Sequence, residues 1–241
     1  MAKARLDDLL VEKGFAQDRK EALALILSGR ILIGEQRAET AGRLVDNEAE
    51  IRIKGEQLAY VSRGGLKLEA ALREFHVSVT GKICADLGAS TGGFTDCLLK
   101  HGAARVHAFD VGKGQLDWRL RQDPRVMVHD DFNVRYMAPG DVGEPIDLIT
   151  LDLSFISLTK VLPALRAFGP VQIIALVKPQ FEAERHEVGP GGIIDSPELQ
   201  TEIVDRVKRV AIDAGFGVLG ETPSPIAGQK GNREFLLLLR A

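Results

Sequence analysis

The stretch ICADLGASTGGFTDCLL, residues 83–99, constrains the fold more than any other part of this chain. It reads as a short apolar strand, a glycine-rich turn and a helix. Gly88, Gly92 and Gly93 let the backbone take unusual dihedrals and come close to a ligand. A helix that starts just after such a turn offers unpaired N–H groups and the positive end of its dipole, which suits a carboxylate or phosphate. Strand–helix alternation continues around this unit. Strands are expected at 82–87, 105–109, 126–129, 148–153, 171–177, 217–220 and 234–239, and helices at 66–75, 93–101, 115–121, 158–168 and 197–214. The pattern implies an α/β fold, a Rossmann-like, doubly wound, mostly parallel seven-stranded sheet. Ligands of such sheets sit outside the carboxyl ends of the strands, where the strand order reverses. Residues 179–195 form one long irregular stretch rich in glycine and charge, either a lid carrying Arg185 and His186 or an ordered surface loop.

Residues 1–59 follow another pattern. Leu6, Leu9, Leu10 and Val11 form a short helical stripe that stops at Gly14. Asp18 caps a second helix with Ala22, Leu25, Ile26 and Leu27 on its apolar face, and Gly29 ends it. Short β-type runs follow at Arg30–Ile33, Arg43–Val45 and Glu50–Ile53. Helices ahead of a small antiparallel sheet make a small α+β domain. Residues 60–64 read as an interdomain linker, either a relay or a passive tether, and 65–241 as the sheet domain.

Composition removes several classes. Cys84 and Cys97 fit neither a zinc site nor a disulfide framework and read as buried thiols in a reducing cytoplasm. No apolar run of about 18 residues occurs, and MAKARLDDLL has no apolar core of a signal peptide, so no membrane role is expected. A net charge of −3 gives no global sign of nucleic-acid binding, so that claim must rest on local basic residues.

The glycine turn is not a dinucleotide fingerprint, which needs glycine at 88, 90 and 93; position 90 is Ser. No Gly-Lys-Ser/Thr follows it, so it is not a P-loop. The second strand of the sheet domain ends in Asp110, placed to accept hydrogen bonds from ribose hydroxyls. Asp130, Asp131 and Phe132 follow the third strand, where an acid can meet an adenine amino group. Each acid alone could be a cap or turn residue; together they point to a nucleoside ligand. Lys67 lies in the helix opening the sheet domain, Asp152 ends the fourth strand, Lys178 ends the fifth and Glu234 begins the last. Charges flanked by apolar runs call for partners. If they converge at one sheet edge, a lysine there could act as a general base on a hydroxyl. Otherwise they are solvated or salt-bridged strand ends.

RLDDLLVEKGFAQDRKEALALILSGRILIG resembles the RNA-binding domain shared with small-subunit ribosomal protein S-four, and the rest of the chain resembles the FtsJ-like ribose methyltransferases. With SRGGLKLEAAL, DVGKGQLDWRL, DLSFISLTKVLPAL, KPQFEAERHEVGPGGII and GNREFL, the whole chain resembles the TlyA family of rRNA cytidine-2′-O-methyltransferases. Some members of that family are labelled haemolysins. The resemblance implies a cytoplasmic enzyme that uses S-adenosylmethionine and acts on ribosomal RNA in a ribosomal subunit. Large-subunit 23S rRNA is favoured over 16S, because the chain stops seven residues after Glu234 as shorter members do.

The same resemblance places Lys67, Asp152, Lys178 and Glu234 on a Lys-Asp-Lys-Glu catalytic tetrad, with Lys178 taking or steering the proton of a 2′-hydroxyl. Asp86, Gly88, Ser90, Gly92, Gly93, Phe94 and Thr95 would surround the methionine end of the cofactor, Asp110 its ribose and Asp131 its adenine. Arg5, Arg19, Lys20 and Arg30 would meet RNA phosphates. No metal is implied, since the sulfonium is already an activated donor. The competing readings are a haemolysin-like membrane-active protein and a non-catalytic rRNA-binding assembly factor.

Overall fold

The computed structural model describes residues 3–16, 18–34, 36–47, 49, 51–54, 59–228 and 231–241. The chain divides into two compact units, Met1–Leu58 and Ala59–Ala241.

In the first unit, β1 (Lys3–Arg5) leads into α1 (Leu6–Glu12), and α2 follows at Arg19–Leu27. Asp18 caps α2 as expected, accepting the Glu21 N–H at 2.8 Å. Then come β2 (Ile31–Ile33), β3 (Gln36–Arg37), β4 (Leu44–Asp46) and β5 (Ile51–Ile53). The single antiparallel sheet expected here is in fact two: β1 pairs with β4, while β2 lies between β3 and β5. Strands of two or three residues offer too few positions for alternation to reveal them, so β1 and β3 escaped the sequence reading. Glu50, where the third expected run begins, lies outside the described residues. Leu6, Leu10, Ile26 and Ile31 fill the core of this unit.

The second unit runs α3 (Gly64–Glu74), β6 (Ile83–Leu87), α4 (Gly93–Lys100), β7 (Arg105–Phe109), α5 (Trp118–Arg121), β8 (Val126–His129) and β9 (Leu148–Leu151). It continues with α6 (Leu162–Leu165), β10 (Gln172–Val177), α7 (Pro179–Glu182), α8 (Pro197–Asp213), β11 (Gly217–Pro223) and β12 (Phe235–Arg240). All seven expected strands join one sheet in the order β11-β12-β10-β9-β6-β7-β8. Neighbours from β8 to β10 are parallel, and β12 is antiparallel to both β10 and β11. The chain works outward from β6 to β8, then returns to β9 and β10 on the other side. The order therefore reverses between β6 and β9, beside the glycine turn.

Alternation along each strand sorts its residues between two cores. Cys84, Val106, Leu148, Ile174 and Leu236 pack with Leu68 of α3 and Leu98 of α4. Ala85, Leu87, Ile149, Ile173 and Leu237 pack with Leu162 of α6 and Val204 and Val207 of α8. Burial on both faces is why these strands read as continuous apolar runs.

Some boundaries differ from expectation. Asp117 accepts the Arg119 N–H at 2.9 Å and so starts α5 later than residue 115. Pro163 has no N–H to return to the preceding turn, and the expected helix 158–168 becomes α6 between 3₁₀ turns at Leu158–Lys160 and Arg166–Phe168. Residues 60–64, the expected linker, pack into the second unit: Tyr60 is buried against Gly65, and the Val61 N–H donates to Asp96 at 2.9 Å.

Candidate active site

The carboxyl ends of the parallel strands open onto two adjoining cavities. The larger, about 950 Å³, is lined by Gly88, Ser90, Asp110, Val111, Phe132 and Asn133 among others. The smaller, about 340 Å³, is lined by Lys67, Gly93, Phe94, Asp152, Lys178 and Glu234 among others. Gly88, Ser90, Asp152, Ser154, Phe155 and Phe181 line both.

The turn that separates them is held by its own geometry. Gly88 has φ +87°, and a Cβ there would stand 2.7 Å from the Asp152 carbonyl oxygen, so glycine is required. The Asp110 carboxylate accepts the Ser90 N–H at 2.8 Å and the Gly112 N–H at 2.7 Å. Each carboxylate oxygen keeps a second lone pair, so Asp110 can still accept from a ligand in the larger cavity.

The expected tetrad converges on the smaller cavity. Lys67 Nζ lies 2.5 Å from Glu234 Oε2, and Lys178 Nζ lies 2.6 Å from Asp152 Oδ1. Lys178 also donates to Ser154 Oγ at 3.0 Å, and its ammonium stands 5.8 Å from the Phe181 ring centre. Each lysine is met by a carboxylate rather than by another cation. Lys67 and Glu234 are both buried, which charged side chains tolerate only when paired.

Four expected cofactor residues are placed elsewhere. Asp86 is fully buried behind the turn, where it accepts the hydroxyls of Thr95 at 2.7 Å and Thr150 at 3.0 Å. Burial pushes its carboxyl up to about 7, against the hydrogen bonds from Thr95 and Thr150. Thr95 is equally buried, so both brace the turn from beneath rather than facing a ligand. A side chain at Gly92 would meet Leu116 and Leu120, the packing behind the turn. Asp131 is exposed and lines neither cavity; its neighbour Asp130 pairs with Arg121 at 2.6 Å. Gly93 and Phe94 border the smaller cavity rather than the larger.

Other residues at the cleft escaped the sequence reading. Phe155 is 92% exposed and has φ +65°, a left-handed conformation that costs a non-glycine residue about 1 kcal/mol or more. Its ring centre lies 5.2 Å from that of Phe181. Glu182 lines the larger cavity, accepting the Ser157 hydroxyl at 2.5 Å and the Leu158 N–H at 2.8 Å, and burial raises its carboxyl above the usual range. Phe155 lies within the string DLSFISL, but neither its exposure nor its backbone is written there.

In the first unit, Arg5 pairs with Asp7 at 2.7 Å, and Arg19 pairs with Asp8. Hydrogen bonds donated to these carboxylates hold both guanidinium groups above their ordinary pKa. Lys20 is exposed and Arg30 half-buried. The expected RNA-contacting cations are thus interleaved with acids rather than gathered alone. Among the described residues no helix is long and apolar enough to cross a membrane.

Comparison with known proteins agrees with both units. The pattern of the FtsJ-like methyltransferase family matches residues 60–241, and that of the S4 domain matches residues 4–51. The chain is 45% identical over 241 residues to the 16S/23S rRNA (cytidine-2′-O)-methyltransferase TlyA of Mycobacterium tuberculosis (strain ATCC 25618 / H37Rv), spanning 99% of this chain and 90% of that protein. It is 42% identical over 235 residues to hemolysin A of Brachyspira hyodysenteriae, spanning 96% and 98% of the two chains. A solved structure labelled a hemolysin, from Streptococcus thermophilus, aligns with a TM-score of 0.76 at 43% identity, covering 100% of this chain and 89% of that one. A solved SAM-dependent methyltransferase from Aquifex aeolicus, 19% identical, shares the sheet fold with a TM-score of 0.52 over 75% of this chain and 94% of its own. The chain therefore belongs to the FtsJ-like methyltransferases, in the TlyA branch that joins this domain to an S4 domain.

Proposed function

We propose that this protein transfers a methyl group from S-adenosylmethionine to the ribose 2′-hydroxyl of a cytidine in ribosomal RNA, with 23S rRNA of the large subunit favoured. The observation that carries this reading is the wall of the smaller cavity. There Lys67, Asp152, Lys178 and Glu234, from separate elements, meet beside Gly88 and Ser90 of the turn. The names of the relatives supply the nucleotide and the class of RNA.

The residues of the larger cavity fit S-adenosylmethionine. Asp110 has lone pairs left for ribose hydroxyls, Val111 and Phe132 offer apolar surface to an adenine, and Gly88 keeps the backbone low where the cavities meet. When bound, the sulfonium supplies an activated methyl group. Lys178 and Asp152 act on the acceptor. Asp152, 2.6 Å from Lys178 Nζ, holds that group at the acceptor, and in its neutral form the amine takes the proton of the 2′-hydroxyl as that oxygen attacks. Ser154 fixes the direction of the amine. The Lys67–Glu234 pair lines the same cavity and orients the ribose. Most of the rate gain comes from alignment. The exposed face of Phe155 gives a flipped base a surface to stack on. In the S4 domain Arg5, Arg19, Lys20 and Arg30 contact phosphates of the same RNA in a cytoplasmic ribosomal subunit.

The test is incubation with labelled S-adenosylmethionine and unmethylated large and small subunits separately, followed by mapping of 2′-O-methyl groups. Label at a cytidine ribose of 23S rRNA is expected. Label on protein or on a base nitrogen, or none on either subunit, refutes the reading. The hemolysin label of relatives is the one observation behind a membrane-active alternative, and dye-loaded liposomes are expected to stay sealed.

A further inference from the structure

Asn232 is 4% exposed and stands two residues before Glu234, between β11 and β12. Its side chain reaches a distant part of the chain. Oδ1 accepts the Ile194 N–H at 3.1 Å, and Nδ2 donates to the Gly192 carbonyl at 2.9 Å. Gln200 of α8, also buried, donates to the Ile194 carbonyl at 2.7 Å from the other side. The Asn232 carbonyl accepts the Gly228 N–H at 2.8 Å. Gly228 lies against Glu234 so closely that a Cβ there would stand 1.9 Å from Oε1. A continuous chain of contacts thus runs from α8 through Ile194 and Asn232 to Gly228 and the Glu234 carboxylate. Both Gly228 and Glu234 line the smaller cavity.

An amide suits this place because it accepts on one side and donates on the other. An aspartate would set a carboxylate against the Gly192 carbonyl, and an alanine would take this partner from the buried Ile194 N–H and the part-buried Gly192 carbonyl.

We infer that Asn232 is a positioning residue for methyl transfer: its side chain anchors its own main chain to Gly192 and Ile194, so that its carbonyl holds Gly228 and keeps Glu234 seated against Lys67. The inference rests on the role given to Glu234 above. It also ties the glycine-rich stretch at 189–194 to the segment that carries Glu234.

A double-mutant cycle tests this on the full chain. Asn232→Ala and Glu234→Gln are compared singly and together, with methyl transfer to ribosomal subunits measured beside S-adenosylmethionine binding by calorimetry. Asn232→Ala is expected to lower kcat about tenfold, with cofactor affinity unchanged, and to cost less than about twofold when position 234 is already Gln. Asn232→Ser, whose uncharged hydroxyl can keep one of the two bonds, shows a smaller loss of the same kind and carries the cycle if Asn232→Ala does not fold. Equal losses in both backgrounds overturn the inference while leaving Glu234 its role. Full activity of Glu234→Gln overturns the role of Glu234 and the inference with it.

Discussion

Replacing Asp86 by Asn isolates what a buried carboxyl does to this fold. Asp86 is fully buried, accepts two threonine hydroxyls and has no cationic partner among the described residues. In the unfolded chain it ionises at about 3.8; in the fold it keeps its proton up to about 7, because burial penalises the charge. Between those values the folded state holds a proton that the unfolded state has lost. Stability from this site is therefore full in acid and declines as pH rises through that window, levelling off above it. At about 1.4 kcal/mol per tenfold change, the whole gap amounts to about 4 kcal/mol, of which about 2 kcal/mol falls between pH 5 and 7. The amide has nearly the same shape and no proton to lose. It can accept from one threonine and donate to the other, since Thr150 Oγ1 also lies 3.5 Å from the Ala85 carbonyl. Urea unfolding followed by circular dichroism across pH 5 to 7.5 measures the difference. Asp86→Asn is expected to gain on the parent by about 2–3 kcal/mol over this range. Parallel stability curves would refute the argument, showing that Asp86 ionises in the fold as an ordinary carboxyl does.

Three further outcomes are expected. Lys178→Ala lowers methyl transfer by about 10²- to 10⁴-fold with cofactor binding retained, since it removes the group placed to take the hydroxyl proton; single-turnover assays beside calorimetry check this. Lys67→Met strands the buried Glu234 carboxylate and costs about 3–5 kcal/mol of stability, most of it recovered when Glu234→Leu is added, whereas activity is not; denaturant midpoints decide it. Phe155→Ala raises KM for the RNA about tenfold and leaves cofactor affinity unchanged, because one stacked base is worth about 1–3 kcal/mol.

The strand reading succeeded where glycines and turn residues punctuate long apolar runs. Expected and observed bounds agree at β7 and β8, and drift by one or two residues at β9 and β12. In the first unit it found β2, β4 and β5 and missed only β1 and β3, strands of three and two residues that carry no period. Within the site, Lys67, Asp152, Lys178 and Glu234 were legible because charge beside buried apolar sequence demands a partner. That two ion pairs would form, and which lysine would take which acid, depended on distances no spacing encodes. Asp86 could have been read better. Counting by twos from Cys84 puts it on the face covered by α3 and α4, where Thr95 waits on the first turn of α4. The clamp of Asn232 on Gly192 and Ile194 joins segments about 40 residues apart and leaves no local trace.

The pairing of Lys67 with Glu234 spans 167 positions of the chain. A ribosome adding roughly 5–20 residues per second needs about 8 to 30 s to cover that span. Within that time α3 and then the strands β6 to β10 emerge and can assemble, yet Lys67 still lacks Glu234 and the β10 edge has no β12 to cover it. A growing chain can thus hold its cofactor turn before it holds a working acceptor wall. The arrival of β12 closes the sheet edge and completes the charge pair in one event, so catalytic competence becomes a report that the domain has finished folding.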